Sequence, residues 1–204
     1  SLSFDSNGLI FFEKKGTLKK NNYSQELIWK KNFYSKQEKK SDILLNIAYE
    51  NDILIITDNL AKYYAVNSQN GELLWSKTNL TPFNSQIKIY KDKFYIVDYE
   101  NILHCFSIKD GSKIWSYQTD NFFVKSKKKL SIIIENEKVI FNNSIGEITA
   151  LDANKGFLLW QTSTQNNIIY AESASLITSD LVLKKNFIFF SNNKNEFYSI
   201  NKNN

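Results

Sequence analysis

The 204 residues carry 26 positive and 21 negative side chains, and 42% of them are apolar, which is typical of a globular protein and not of a disordered one. All of the positive residues are Lys, and because bidentate contacts to phosphate and guanine favour Arg, the net charge of +5 predicts no nucleic-acid partner. One Cys and one His exclude an internal disulfide and a zinc cluster of these residues, and no apolar run reaches the roughly 18 residues of a membrane helix, so no transmembrane segment is expected.

Short strands separated by turn residues are predicted along the chain. In one stretch they fall at about Leu130–Ile134, Val139–Phe141, Glu147–Asp152 and Phe157–Thr162. The same division places four-stranded groups at about 1–31, 42–78, 85–119 and 129–163, and an incomplete group of three strands at 176–201. No stretch has a capped 3.6-residue apolar periodicity, so the pattern predicts almost no helix.

A repeated motif marks these groups. Gly stands four residues before Trp in three copies, Gly71 with Trp75, Gly111 with Trp115 and Gly156 with Trp160, and a weaker copy at Trp29 has Gln25 in place of Gly. The Gly suits a tight turn of positive φ, and the Trp is expected to cover the gap between neighbouring sheets. Four-stranded units repeated at this spacing predict an all-β, partial β-propeller with four-stranded antiparallel blades.

The termini carry two further expectations. The sequence has no Met, so residue 1 is not a natural translation start, and the last predicted blade stops before its fourth strand. We therefore expect residues 1–204 to be one portion of a propeller whose N-terminal part lies outside the sequence. The open edge of the last blade is expected to pair with that missing N-terminal strand or with another chain.

The repeat resembles that of the pyrroloquinoline-quinone (PQQ) type propellers. The strands that precede the turns, such as Tyr63–Val66 and Ile148–Leu151, carry the likeness together with the Gly–Trp motif. Within that superfamily the chain resembles the C-terminal half of the BamB family, most closely from Phe94 to Trp115 and at Phe197–Ile200. WD40 and kelch propellers fit less well, because no Trp is followed by Asp and no two Gly residues are adjacent.

The resemblance to BamB implies a non-enzymatic scaffold at the periplasmic face of the outer membrane. It implies a protein–protein contact with a BamA-like protein of β-barrel assembly, and no catalytic residue, cofactor or metal. The family's partner-binding motif Ser-Asp-x-Asp is matched by Ser41 and Asp42, whereas Leu44 replaces the second Asp. The resemblance therefore implies partner-binding residues Ser41, Asp42 and Leu44, with the family's second contact loop upstream of residue 1.

Two other functions stay open at this point. The superfamily includes quinone-dependent dehydrogenases, which hold the quinone with Ca²⁺, an Asp base, an Arg or Lys and often a vicinal Cys pair, and it includes propellers that bind small ligands. This chain has no Arg and a single Cys, Cys105, whose neighbour His104 points to the opposite face of a strand. These features favour the scaffold over the enzyme.

Two Lys clusters, Lys36–Lys40 and Lys125–Lys129, precede predicted blades. They could form a patch for anionic lipid or an acidic partner, or they could be solvated loops of a Lys-rich chain. The apolar residues Phe122–Val124 beside the second cluster suggest either a protein contact or packing under a neighbouring blade.

Overall fold

A computed structural model of the chain describes residues 2–5, 7–119, 128–163 and 178–203. In these ranges the strands form five antiparallel sheets, each made from strands that are consecutive in the sequence. Four sheets have four strands and the last has three. The predicted all-β class is confirmed. The Phe122–Val124 segment and Lys125–Lys127 lie outside the described residues.

The first two sheets follow one another along the chain. The strands of the first are β1 (Leu2–Asp5), β2 (Gly8–Glu13), β3 (Thr17–Asn21) and β4 (Leu27–Asn32). Those of the second are β5 (Leu45–Glu50), β6 (Ile53–Asp58), β7 (Lys62–Asn67) and β8 (Leu73–Thr78).

The remaining three sheets repeat this order. The third has β9 (Lys88–Tyr90), β10 (Lys93–Val97), β11 (Ile102–Ser107) and β12 (Lys113–Gln118). The fourth has β13 (Ile132–Glu135), β14 (Lys138–Asn142), β15 (Glu147–Asp152) and β16 (Leu158–Ser163). The fifth has β17 (Val182–Lys184), β18 (Phe187–Ser191) and β19 (Phe197–Asn201).

Helical structure in the described ranges is limited to two three-residue 3-10 segments, Lys14–Gly16 and Glu38–Lys40. No helix in those ranges is long and apolar enough to cross a membrane. The near absence of helix agrees with the sequence pattern, in which strands and turns alternate without a helical apolar stripe.

Burial differs between the strands of a sheet. In the second, third and fourth sheets, the second and third strands, such as β6 and β7, have runs of buried residues because both of their faces are covered. The fourth strands β8, β12 and β16 are exposed at most positions. In three sheets a register shift interrupts the pairing of the third and fourth strands, at Lys20/Asn21, Ala65/Val66 and Ala150/Leu151. Each shift lies just before the turn that carries the motif Gly or, in the first sheet, Gln25 in its place.

By its contacts the chain divides into two compact units. The first comprises residues 1–83, 91–94 and 106–112, and the second comprises 84–90, 95–105 and 113–204. The core of the first unit contains Ile10, Leu18, Trp29, Ile43, Leu54 and Tyr64, and beside it lie the rings of Tyr63, Trp75, Phe83, Phe94 and Phe106. The second unit has core clusters that include Tyr95, Leu103, Phe141 and Leu151, and Ile140, Ile188 and Phe190.

Strand direction decides which loops share an end of a sheet. Because antiparallel strands alternate in direction, the linker that leads into a first strand lies at the same end as the turn between the second and third strands. In the second sheet this end therefore holds the linker 33–44 and the turn 59–61. The turn 68–72, with its motif Gly, lies at the other end.

Candidate functional site

The predicted partner-binding residues lie in the linker between β4 and β5. Its two ends are fixed in the core of the first unit, because Tyr34 is 5% and Ile43 is 4% exposed. Between them, the Ser35 main-chain N–H donates to the Glu38 carboxylate at 2.7 Å, and the Glu38 N–H donates to the Ser35 hydroxyl at 3.2 Å. This reciprocal pair closes the turn 35–38, which leads into the 3-10 segment Glu38–Lys40.

Asp58, at the end of β6, fixes the start of the linker. Its buried carboxylate accepts the Tyr34 hydroxyl at 2.6 Å and the main-chain N–H groups of Leu60 and Lys62 at 2.8 Å each. Burial raises the pKa of Asp58 above its usual value, although these hydrogen bonds oppose the rise. Burial also raises the pKa of Tyr34, whose hydroxyl is the donor to Asp58.

Lys62, at the start of β7, adds a second connection to the linker. Its ammonium donates to the Phe33 carbonyl at 2.8 Å, lies 3.3 Å from the Glu38 carboxylate and sits 4.7 Å from the centre of the Tyr34 ring. The hydrogen bonds from Ser35, more than the nearby charge of Lys62, lower the pKa of Glu38. Lys62 thus holds the linker by a hydrogen bond to its backbone, an ion pair and a cation–π contact.

Asn59, in the turn after β6, holds the end of the linker that carries the predicted site. Its amide donates to the Asp42 carbonyl and accepts the Leu44 N–H, both at 2.8 Å. With the backbone held in this way, Ile43 points into the core while Leu44 is 63% exposed. The side chains of Ser41 and Asp42 are exposed as well. The structure therefore brings Ser41, Asp42 and Leu44 together on an ordered surface.

The lysines near this surface differ in exposure. Lys36 and Lys40 are exposed, and Lys39 is half-buried. In the second cluster, the half-buried Lys128 donates to the Thr178 carbonyl at 2.9 Å and lies 3.6 Å from the Asp180 carboxylate. Lys128 therefore has a local structural role.

The structure shows a second repeat that the sequence reasoning missed. In four sheets an Asp or Asn lies at the end of the second strand or directly after it. The Oδ1 atom of this residue accepts the main-chain N–H groups of the residues two and four positions further along the chain. These residues are Asp58, Asp98, Asn143 and Asn192. The signal in the sequence was an Asp or Asn at corresponding turn positions, which is the residue type that satisfies the backbone of a tight turn.

The motif indoles make hydrogen bonds that the sequence pattern did not predict. Each indole N–H donates to a main-chain carbonyl in the next sheet, from Trp29 to Ser68 at 2.9 Å, Trp75 to Ile108 at 2.8 Å, Trp115 to Ala153 at 3.2 Å and Trp160 to Lys202 at 3.0 Å. Trp29 is buried at 6% exposure, whereas the other three indoles are half-buried. The added hydrogen bonds explain why Trp, and not Phe, recurs at this position.

The motif glycines lie against these indoles. A Cβ atom built on Gly111, which has φ of +67°, would come within 2.6 Å of the Trp75 ring. Gly71 and Gly156 are placed in the same way against Trp29 and Trp115. The turn therefore needs Gly both for its backbone conformation and for the close approach of the ring.

His104 and Cys105 do not form a reactive pair. His104 is buried, with its Nε2 atom 2.8 Å from the Asp98 carboxylate, and Cys105 is buried in the apolar core of the second unit. The described residues bring together no group of three or more His, Cys, Asp or Glu side chains that could hold a metal ion.

Comparison with known proteins identifies the family. Residues 14–204 match the family described as outer membrane protein assembly factor BamB. The chain belongs to the BamB family. The fold is similar to the crystal structure of BamB from Moraxella catarrhalis, with a TM-score of 0.79 and 14% sequence identity over 99% of this chain and 60% of that one. This chain thus spans less than two thirds of that BamB. The similarity of the two folds confirms the predicted propeller class.

Other similar structures include quinone enzymes. A europium-containing methanol dehydrogenase has a TM-score of 0.72 at 12% identity, covering 99% of this chain and 48% of that one. A quinohemoprotein alcohol dehydrogenase from Pseudomonas putida HK5 has a TM-score of 0.73 at 12% identity, covering 99% and 40%. At such identities the likeness shows the fold alone. No curated protein matches the chain.

Proposed function

We propose that the chain is a non-enzymatic scaffold that binds a protein partner during the assembly of outer-membrane β-barrels, at the periplasmic face of that membrane. The observation that carries the proposal is the ordered linker surface of Ser41, Asp42 and Leu44. Its backbone is held by Asn59, and its side chains are exposed. Membership of the BamB family supports a BamA-like protein as the partner.

The chemistry of this surface suits a mixed contact. The Asp42 carboxylate can accept a main-chain N–H or a basic group of the partner, and Leu44 offers an apolar side chain beside it. Since Leu44 stands where the family motif has a second Asp, this surface offers the partner one negative charge fewer. Binding should therefore depend more on apolar contact, and be less sensitive to salt, than binding through two carboxylates.

The test is a titration with the periplasmic domains of the BamA-like protein from the same organism. Wild type, Asp42→Ala and the control Glu72→Ala are compared at two salt concentrations. Glu72 is an exposed acid at the other end of the same sheet. We expect Asp42→Ala to weaken binding by about 1–3 kcal/mol while Glu72→Ala has no effect. Equal affinity of all three proteins would show that the partner binds at another surface of the chain.

A quinone-dependent dehydrogenase fragment is the alternative from another class, and the fold likeness to two quinone enzymes supports it. A propeller that binds a small ligand is a further alternative. The second unit has a cavity of about 440 Å³ for such a ligand, lined by residues that include Lys88, Ser131 and Asp180.

Adding PQQ with Ca²⁺ decides between the scaffold and the enzyme. The scaffold predicts no saturable binding and no dye-linked alcohol oxidation, whereas stoichiometric micromolar binding favours the enzyme.

We also propose that β19 pairs with a further strand, either an N-terminal strand of the same protein or a strand of another chain. β19 is the last strand of the three-stranded sheet, with β18 on one side. Among the described residues no strand pairs with its other side. Unpaired edges promote association between chains. Light scattering of the 204-residue chain tests the intermolecular case, which a strictly monomeric protein would contradict.

A further inference from the structure

A second linker at the same end of the second sheet carries a fully exposed apolar side chain. Leu80, two residues after β8, is 98% exposed. Its backbone is nevertheless held on both sides. The Asn79 N–H donates to the Ala61 carbonyl at 2.8 Å, and the Asn79 side-chain amide donates to the Thr81 carbonyl at 3.0 Å.

The residues that follow also fix the loop. Pro82 restricts the backbone, since its ring sets φ, and Phe83 is buried at 5% exposure. The Phe83 ring lies 5.8 Å from the Tyr63 ring and 6.3 Å from the Phe106 ring, edge-on to both. Leu80 therefore projects from a loop that is held by hydrogen bonds on one side and by aromatic packing on the other.

One turn holds both linkers. Asn59 binds the backbone of Asp42 and Leu44 in the first linker, and Ala61, two residues later, binds Asn79 in the second. The turn between β6 and β7 thus lies between two exposed leucines, Leu44 and Leu80, both within the first compact unit. A partner that covers this turn would reach both side chains.

Leu80 combines an exposed side chain with a backbone that is held in place, and both properties favour a contact with a partner. Single exposed leucines are common on protein surfaces and need no explanation. A leucine on a loop whose backbone is already fixed loses less conformational freedom on binding than one on a mobile loop, because only its side chain remains to be ordered. Its neighbour Asp42 supplies a polar group that sets the orientation of the partner.

We propose that Leu80 forms one docking surface with Asp42 and Leu44, on the two sides of the turn 59–61. Its occupant is the barrel-assembly protein of the proposed function, on which this inference rests. The complementary patch on the partner is an apolar area with a hydrogen-bond donor at one edge. Leu80 supplies the apolar contact that compensates for the second carboxylate absent at Leu44.

The experiment adds three variants to the titration of the periplasmic domains. They are Leu80→Ser, the double variant with Asp42→Ala, and the control Leu74→Ser on β8, whose leucine is 45% exposed. We expect Leu80→Ser to lower affinity roughly tenfold or more with an unchanged urea midpoint, and the double variant to lose at least the product of the single effects. Leu74→Ser should bind as wild type does.

The outcomes separate the two proposals. If Asp42→Ala weakens binding but Leu80→Ser does not, the proposed function stands and the inference about Leu80 is wrong. An equal loss from Leu74→Ser and Leu80→Ser would show a general effect of surface apolarity, which also overturns it. If the wild-type chain does not bind the partner, the proposed function fails and this inference fails with it.

Discussion

The indole N–H of Trp29 donates to the main-chain oxygen of Ser68, 39 residues further along the chain, at 2.9 Å. The same carbonyl accepts the buried Lys20 ammonium at 3.1 Å. Two side chains of the first sheet thus converge on the turn that carries the motif Gly of the second. This bond makes Trp29 a hydrogen-bonding residue as well as an apolar cover between the sheets.

Trp29→Ala should destabilise the chain by about 3–5 kcal/mol, because a large buried side chain is removed. Trp29→Phe keeps most of the apolar contact but leaves the carbonyl without the indole donor, so a loss of about 1–2 kcal/mol is expected. Urea unfolding measures both. Trp160→Ala is the comparison, since that indole is half-buried, and its cost should be smaller. Equal losses at Trp29 and Trp160 would contradict the assigned difference in burial.

Gly111→Ala should destabilise by about 1–3 kcal/mol, because the new Cβ meets the Trp75 ring in a left-handed backbone conformation. Lys113→Ala, at an exposed position just after the same turn, is the control and should change stability by no more than about 0.5 kcal/mol. Thermal unfolding of the two variants provides the measurement. A tolerated Ala at residue 111 would mean that the turn and the ring can move apart.

Asp58→Asn should destabilise by about 1–2 kcal/mol at pH 7, because an amide NH2 group replaces the second oxygen, which accepts the Tyr34 hydroxyl. The Asn side chain can still accept the N–H groups of Leu60 and Lys62, as Asn143 does for its own turn. Denaturant unfolding tests the magnitude. A loss above about 4 kcal/mol would show that the turn itself had failed.

The same variant gives a signed pH dependence. Because the folded-state pKa of Asp58 is raised above the usual value of 3.8, its contribution to stability is fully present below that value and is lost as the pH rises through the folded-state pKa. The advantage of wild type over Asp58→Asn should therefore increase as the pH falls from 7 towards 4. Glu38, whose pKa is lowered, has the opposite dependence, but it is present in both proteins and cancels in the difference. A constant difference across this range would contradict the burial of a charged Asp58.

Asn59→Ala should loosen the linker without unfolding the protein. Two hydrogen bonds at an exposed position are lost, so the cost in stability should be about 1 kcal/mol, while the main-chain amide of Leu44 should exchange with solvent faster. Hydrogen exchange followed by NMR reports on that amide directly. Asn70→Ala, an exposed Asn at the other end of the sheet, is the matched control. Unchanged exchange at Leu44 would show that the linker is held by other contacts.

Much of the fold could be predicted from the sequence because strand patterns and the Gly–Trp motif are local signals. The alternation of apolar residues predicts strands, and the recurring motif predicts that the sheets are copies of one another. The exposure of Asp42 and the inward direction of Ile43 also follow from local alternation. Each of these properties depends on residues close together in the chain.

The contacts that organise the site could not be predicted in the same way. Asn59 binds residues 15 and 17 positions earlier, and Tyr34 reaches Asp58 across 24 positions. Such pairs depend on the path of the linker over the end of the sheet, which no local periodicity determines. Leu80 was missed for a related reason: a single Leu in a polar loop has no pattern, and its exposure becomes evident only when the loop is placed.

The repeated turns at Asp58, Asp98, Asn143 and Asn192 have a consequence for how the sequence can diverge. In each, one oxygen satisfies the backbone of the hairpin, a role that both Asp and Asn can perform. The second polar atom is left for a partner that differs from sheet to sheet: Tyr34, His104, Glu147 or Glu196. Tyr34 lies in a linker, whereas His104, Glu147 and Glu196 belong to the hairpin itself. The residue that contacts this second atom can therefore change from sheet to sheet while the hairpin keeps its shape.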